Sequence, residues 1–424
     1  MRNPGYFKDK SVTVVGLARS GLACANLLFD LGARVRISDN QDNEAIRRNI
    51  ARLKSKSIAS EVGGHTRDFI RGADLLIVSP GVANNSPVIA RAEEESIPVI
   101  SEIEFAWMLC PAEVIAVTGS TGKTTVTTLI GEVLKTGGRR AYVCGNIGTP
   151  FAQEVPKMQT GDYAVLEASS FQLERIAAFK PKIALMLNFN RNHLDRHKDM
   201  QEYLEAKMRI FMNQDAADYL VLNERDPALK GLSRQARSKV VYFSENASFN
   251  PNQAAVASVA GIIGIDSGIC RKVFADFKGL KHRMEYVATL NDVKFVNDSK
   301  ATVAESTAWA IKNIPSGVVL IAGGRDKGVD YSMILGAAGK KVKYAVLIGE
   351  AKDKIRRALS GALPLEDAED MQAAVSRAYS LASPGDTVLL SPMCSSFDMF
   401  SDYEERGEAF RQAVLALADS VSKR

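Results

Sequence analysis

Residues 114–129 read VIAVTGSTGKTTVTTL, and no other stretch of the chain limits its fold and chemistry so tightly. The unbroken apolar run Val114, Ile115, Ala116, Val117 suits a strand covered on both faces, and a helical pattern begins near Lys123. The residues between them, Thr118 to Thr124, must form a tight turn at the strand-to-helix junction. Small residues there let backbone N–H groups approach an anion, and the helix N-terminus adds partial positive charge. Gly119, Ser120, Thr121, Gly122, Lys123, Thr124 and Thr125 are therefore candidate contacts for nucleotide phosphates, with lysine and threonine reaching phosphate and Mg²⁺. Two residues separate Gly119 from Gly122, a shorter spacing than G-x-x-x-x-G-K-[ST]. The bland alternative is an ordinary strand–turn–helix corner.

The 424 residues provide for two to four domains. An apolar share of 46% with 24% charged residues describes a globular protein with material for packed cores. The net charge of +5 suits small anionic substrates, but it is spread along the chain without a basic tract, which argues against a nucleic-acid partner. Five isolated cysteines, with no C-x-x-C pair, read as buried thiols of a reducing compartment. The N-terminus enters a strand without a signal-peptide core, and no apolar run is long enough to span a membrane. A cytoplasmic protein is expected.

The first segment opens with a strand over 11–15, a turn Gly16-Leu17-Ala18-Arg19-Ser20-Gly21, a helix to residue 31 and a strand over 34–38 ending at Asp39. This outlines a dinucleotide-binding βαβ unit, but Ala18 replaces the central glycine of G-x-G-x-x-G. NAD and a UDP group both remain open, because both offer a pyrophosphate and a ribose that Asp39 could take. A third strand, 73–79, runs into Ser79-Pro80-Gly81, a turn where ligands bind in open α/β sheets.

In the middle segment, Gly145-Asn146-Ile147-Gly148 places one amide among glycines. A strand over 163–167 ends in Glu167, placed to ligate Mg²⁺ beside a phosphate loop, although a solvated surface carboxylate is the alternative. After a strand over 183–188 come His193 and His197 flanking Asp195, where a structural histidine is the bland reading. A helix over 200–211 carries Lys207, which taken bare is an exposed helix residue.

In the last segment strands over 293–297, 318–321, 343–348 and 387–390 predict a second parallel sheet. Its loops, Asn297-Asp298-Ser299-Lys300-Ala301-Thr302, Gly323-Gly324-Arg325-Asp326-Lys327 and Ser391-Pro392-Met393-Cys394-Ser395-Ser396, gather cations and hydroxyls on one rim. They suit a small dicarboxylate, or are solvated loop ends. Val62-Gly63-Gly64-His65 suggests no chemistry.

TGSTGKTT, GNIG, LEASSFQLE, NHLDRH…YLEAKMRIF, HRMEYV, NDSKAT and SPMCSSFDMFSDYEERG follow one another as in the Mur ligases, ATP-dependent amide-forming enzymes of peptidoglycan synthesis, which the chain resembles over nearly its whole length. SSFQLE, the compact first domain and the closing SxxCSSFDxF…YExRG run are most similar to the member that adds D-glutamate to UDP-N-acetylmuramoyl-L-alanine. The resemblance implies three α/β domains: a Rossmann-like UDP-substrate domain (1–102), a central P-loop-type ATP domain (103–279) and a Rossmann-like amino-acid domain (280–424). It implies a monomer using ATP and two Mg²⁺ ions, with Lys123, Asn146, Glu167, His193 and Lys207 in catalytic positions. Thr124, Glu167, His193 and Lys207 would hold metal, Lys207 as an N-carboxylated lysine formed with CO₂. Arg19, Ser20, Asp39, Asn40, Ser79, Gly81, Asn146 and Ser169 would hold the UDP substrate, which favours UDP over NAD. Arg283 and Asp298 would meet the nucleotide, and Lys300, Thr302, Lys327, Ser396 and Tyr403 would bind D-glutamate, with tyrosine at 403 where the family commonly has phenylalanine. The last domain would be mobile, closing over the acyl phosphate. The family's H-N-x-x-N-x-L-A-A stretch is here Phe249-Asn250-Pro251-Asn252-Gln253-Ala254-Ala255-Val256-Ala257, so no adenine contact carries over.

Overall fold

The structure, a computed structural model, describes residues 1–190, 196–277, 279–326, 328–339 and 341–422. They form two compact units, Met1–Phe277 and Lys278–Arg424. The first unit contains two parallel sheets. Strands β1 (Ser11–Val15), β2 (Arg34–Asp39), β3 (Ala59–Val62), β4 (Leu75–Val78) and β5 (Val99–Ser101) pair in the order β3-β2-β1-β4-β5. Strands β6 (Glu113–Thr118), β7 (Ala141–Gly145), β8 (Tyr163–Glu167), β9 (Ile183–Met186), β10 (Tyr219–Asn223) and β11 (Lys239–Phe243) pair in the order β11-β10-β9-β6-β8-β7. Apolar runs such as VIAV in β6 and IALM in β9 are buried on both faces, as a helix-covered parallel sheet requires.

Two acidic residues explain why these sheets cluster as one unit. Helix Glu102–Leu109 follows β5 and packs its apolar side into a core shared by both sheets. The buried Glu104 carboxylate accepts N–H bonds from Ala177, Ala178 and Phe179 at 2.8–3.0 Å, and Glu102 accepts one from Ala152 at 2.8 Å. Glu102 Oε2 has no partner among the described residues, and burial pushes this carboxyl up to about 7.

The second unit has one sheet, β12-β13-β17-β14-β15-β16, from β12 (Glu285–Leu290), β13 (Val293–Asn297), β14 (Val318–Gly323), β15 (Val342–Ile348), β16 (Leu365–Asp367) and β17 (Thr387–Leu390). The expected all-parallel sheet is corrected here. β12 and β13 are an antiparallel hairpin, joined by Asn291 and Asp292 at φ +47° and +63°. Asparagine and aspartate tolerate that conformation, and two such residues make the turn whose twist matches a hairpin. β12 lies at the sheet edge and none of its residues is buried, so no buried-strand run marks it in the sequence.

Candidate active site

In the central sheet, β6 lies between β8 and β9, so three carboxyl ends meet where the strand order reverses. The turn after β6 begins helix Lys123–Thr136, with Gly122 as its N-cap at φ +81°. A Cβ there would be strained and would stand 2.7 Å from Asn252 Oδ1, so glycine is required. Asn188, just beyond β9, stitches the turn. Its Oδ1 accepts the N–H groups of Ser120 and Thr121 at 3.0 and 2.8 Å, and its Nδ2 donates to Thr121 O at 3.1 Å. Lys123 Nζ donates to the carbonyls of Gly119 and Ser120 at 2.8 and 3.0 Å. Thr124 is buried in the first turn of the helix, followed by Thr125.

Glu167 ends β8 with 2% of its surface exposed, which excludes the solvated alternative. Its Oε1 accepts from Asn146 Nδ2 at 2.8 Å, while Oε2 is buried without a hydrogen-bond partner among the described residues. A buried carboxylate oxygen left unpaired is costly unless a cation takes it, so this atom fits a Mg²⁺ ligand. Lys207, read bare as exposed, is 1% exposed, and that expectation is corrected. Helix Met200–Met208 turns it inward under the phosphate turn, where Nζ donates to Gly119 O at 2.9 Å and lies 4.6 Å from the ring centre of Tyr203, one helical turn back. Burial, then repulsion from Lys123, holds its amine well below the usual lysine range, against the pull of Glu167. His193 lies outside the described residues, among which no group of three His, Cys, Asp or Glu forms a metal cage. His197 is structural: Nε2 meets Ser170 Oγ at 2.9 Å and its ring stacks on Phe171.

At the first sheet's switch point, between β1 and β4, Ser79 Oγ donates to Gly16 O at 2.9 Å. Asp39 ends β2 and accepts the N–H groups of Leu17 and Gln41 at 2.6 and 2.8 Å, so it shapes the glycine turn. Asn40 and Gly81 are exposed and Ser20 half-buried beside it. Arg19 Nη1 reaches Gly148 O at 3.4 Å, which links this crevice to the loop bearing Asn146. Ser169 caps helix Ser170–Leu173 through a reciprocal pair with Gln172. His65, in the stretch without assigned chemistry, meets Ser38 Oγ at 2.6 Å through Nδ1.

In the second unit the loops after β13, β14 and β17 again lie side by side at carboxyl ends. Asp298 is buried; it accepts from Ser391 Oγ and Met284 N at 3.0 and 3.2 Å, and burial raises its carboxyl to about 6. Arg283 Nε is buried without a partner among the described residues. Lys300 Nζ stands 5.2 Å from the ring centre of Tyr403, whose hydroxyl donates to Glu404 at 3.0 Å. Ser396 is buried and Thr302 half-buried, while Lys327 lies outside the described residues.

The Mur ligase MurD-like N-terminal domain matches residues 10–101, the Mur ligase middle domain 117–262, and the Mur ligase glutamate ligase domain 282–394. A UDP-N-acetylmuramoylalanine--D-glutamate ligase of Thermoanaerobacter pseudethanolicus is 39% identical, over 97% of this chain and 99% of that protein. The chain belongs to the Mur ligase family. A relative of the same name from Geotalea uraniireducens is also 39% identical, over 98% and 99% of the two chains. Solved Mur ligases share the three-part α/β fold at lower identity. UDP-N-acetylmuramate-alanine ligase MurC of Thermotoga maritima superposes with TM-score 0.58 at 18% identity, covering 96% of this chain and 100% of that one. MurF of Thermotoga maritima, solved in complex with ADP, gives 0.57 at 15% identity over 100% and 98%.

Three residues of this Mur ligase have no role that sequence reasoning assigns. Asn188 could have been found from its place at the end of a strand next to the phosphate turn. Asn252 is obscured by the altered asparagine stretch, in which Asn250 and Gln253 form the capping box of helix Pro251–Ile263. Arg406 sits in the YEERG run with no local signal that it is buried.

Proposed function

We propose that this protein is an ATP-dependent ligase that adds D-glutamate to UDP-N-acetylmuramoyl-L-alanine in peptidoglycan synthesis. The observation that carries the reading is the group at the end of β6 and β8: half-buried Lys123 on the phosphate turn, buried Lys207 beneath it, and buried Glu167 with one oxygen unpaired. The names of the relatives support the choice of amino acid.

Thr124, Glu167, His193 and Lys207 as its carbamate would hold Mg²⁺, which supplies charge stabilisation to the phosphates. A neutral buried amine is the form that attacks CO₂, giving a carbamate and releasing a proton, and the depressed Lys207 supports that assignment. In the reaction the substrate carboxylate attacks the γ-phosphorus of ATP, ADP leaves, and an acyl phosphate forms. The amine of D-glutamate then attacks the acyl carbon, phosphate leaves, and the amine proton is lost. Lys123 and the N-terminus of helix Lys123–Thr136 offset charge on the transferring group, so positioning and electrostatics account for most of the rate. Asn146, held by Glu167, would orient the reacting carboxylate. Arg19, Ser20, Asp39, Asn40, Ser79, Gly81 and Ser169 would take the UDP substrate, Arg283 and Asp298 the nucleotide, and Lys300, Thr302, Lys327, Ser396 and Tyr403 the amino acid. We assign domain boundaries at 102/103 and 279/280 and place the enzyme, as a monomer, in the cytoplasm, where ATP is made. Among the described residues no helix is long and apolar enough to cross a membrane.

The test is phosphate release from ATP and UDP-N-acetylmuramoyl-L-alanine with a panel of amino acids. D-glutamate alone should give release; release with another amino acid and none with D-glutamate would overturn the assignment.

A further inference from the structure

Arg406 is the largest fully buried side chain described, with 1% of its surface exposed, near the start of helix Tyr403–Ser422. No carboxylate lies within ion-pair distance of it among the described residues, whose ion pairs all involve other cations.

Its partners are oxygens of two loops. Nε donates to Ser299 Oγ at 3.0 Å, Nη2 to Ser299 O at 2.8 Å, and Nη1 to Cys394 O at 3.0 Å. Ser299 Oγ passes the connection on, donating to Tyr403 O at 2.8 Å. A third loop abuts the same group: a Cβ on Gly324, at φ +136°, would stand 3.0 Å from Nη1 and 2.3 Å from Ser395 O. The loop it grips is strained, since Met393 is fully buried at φ +62°, a conformation that persists only where neighbours over-determine it. Each of the two gripped loops carries residues assigned above to the amino acid: Lys300 and Thr302 follow Ser299, and Ser396 follows Cys394. Tyr403 precedes Arg406 in the same turn of helix.

We propose that Arg406 is a positioning residue for D-glutamate, fixing the loops after β13 and β17 while adding a permanent positive charge that favours a dicarboxylate over a neutral amino acid. A guanidinium suits both tasks. Its planar fork holds several carbonyls at set angles, and it keeps its proton where a lysine would shed it. Burial lowers Arg406 only to about 10, so the charge persists at neutral pH. Its hydrogen-bond partners are hydroxyl and carbonyl oxygens, and Asp398 acts on the charge only through space, without forming an ion pair with it.

The inference rests on the D-glutamate reading, and the experiment separates the two. Wild-type protein is assayed for D-glutamate-dependent phosphate release; its absence refutes the function. Given release, Arg406→Lys and Arg406→Gln are compared with wild type in the KM for each of the three substrates, after melting curves establish folding. Arg406→Lys, which loses the fork and would shed its proton in this buried place, and Arg406→Gln, which removes the charge outright, should each raise the D-glutamate KM about 10- to 100-fold, with the KM for ATP and for the UDP substrate within about threefold of wild type. Should neither variant fold, Ser299→Ala, which removes the oxygen receiving the Nε–H, supplies the same comparison. A D-glutamate KM unchanged in the folded variants, or a rise shared equally by ATP, would overturn the proposal.

Discussion

Two cations are buried to the same degree, and their loops have opposite characters. Lys207 in the first unit and Arg406 in the second are each 1% exposed, and each donates to loop carbonyls at the carboxyl ends of parallel strands. Burial pushes Lys207 well below its usual range, with Lys123 adding repulsion, whereas Arg406 falls only to about 10. A compact ammonium that loses water discards its proton, while a delocalised guanidinium does not. Burial therefore weakens the lysine's hold on its proton, while the arginine stays a fixed charge. Burial alone does not tell which kind of site a cation makes; the side-chain chemistry decides.

The largest effect should come from Lys123, whose charge adds to burial in lowering Lys207. Lys123→Ala removes both the proposed phosphate contact and the repulsion, and kcat/KM for ATP should fall about 10²- to 10³-fold in the phosphate-release assay. Next, Lys207→Arg installs the permanent charge of the other region. It cannot form a carbamate, so activity should drop about 10- to 100-fold and the ¹³C signal of a ¹³CO₂ adduct should vanish. Full activity would break the contrast between the two cations. A carboxyl tests the same physics with reversed sign. Glu102 keeps its proton to about 7 in the fold against 4.5 when unfolded. Between those values the folded state binds more protons, so stability falls as pH rises across that window and stays lower above it. Glu102→Gln should flatten the dependence and gain about 2 kcal/mol at pH 8 in denaturant titrations. The smallest effect belongs to the stitch under the phosphate turn: Asn188→Ala should raise the ATP KM about three- to tenfold and leave the D-glutamate KM alone.

Much of the architecture was legible because parallel strands are written as unbroken apolar runs. β6, β8, β14 and β17 were all visible that way, β13 by its alternating Val293-Lys294-Phe295, and the phosphate turn stood out by its glycine and lysine spacing. The edge strand β12 was not, because none of its residues is buried and its turn signal, Asn291-Asp292, contains no glycine. The burial of Lys207 was equally hidden. Its helix gives no clean amphipathic stripe, and what covers it, Tyr203 and the phosphate turn, comes from 4 residues away on one side and nearly 90 on the other.

The sequence by itself determined the family, the parallel sheets and the identity of the residues at the strand ends, because motifs and apolar runs are local patterns. Only the tertiary structure decided what state those residues are in. That Glu167 has an oxygen to spare, that the Lys207 amine is pushed well below its usual range and that Arg406 remains charged follow from which groups surround each one. Desolvation and hydrogen-bond supply are set by neighbours distant in the chain, and they exist only once the strands have assembled.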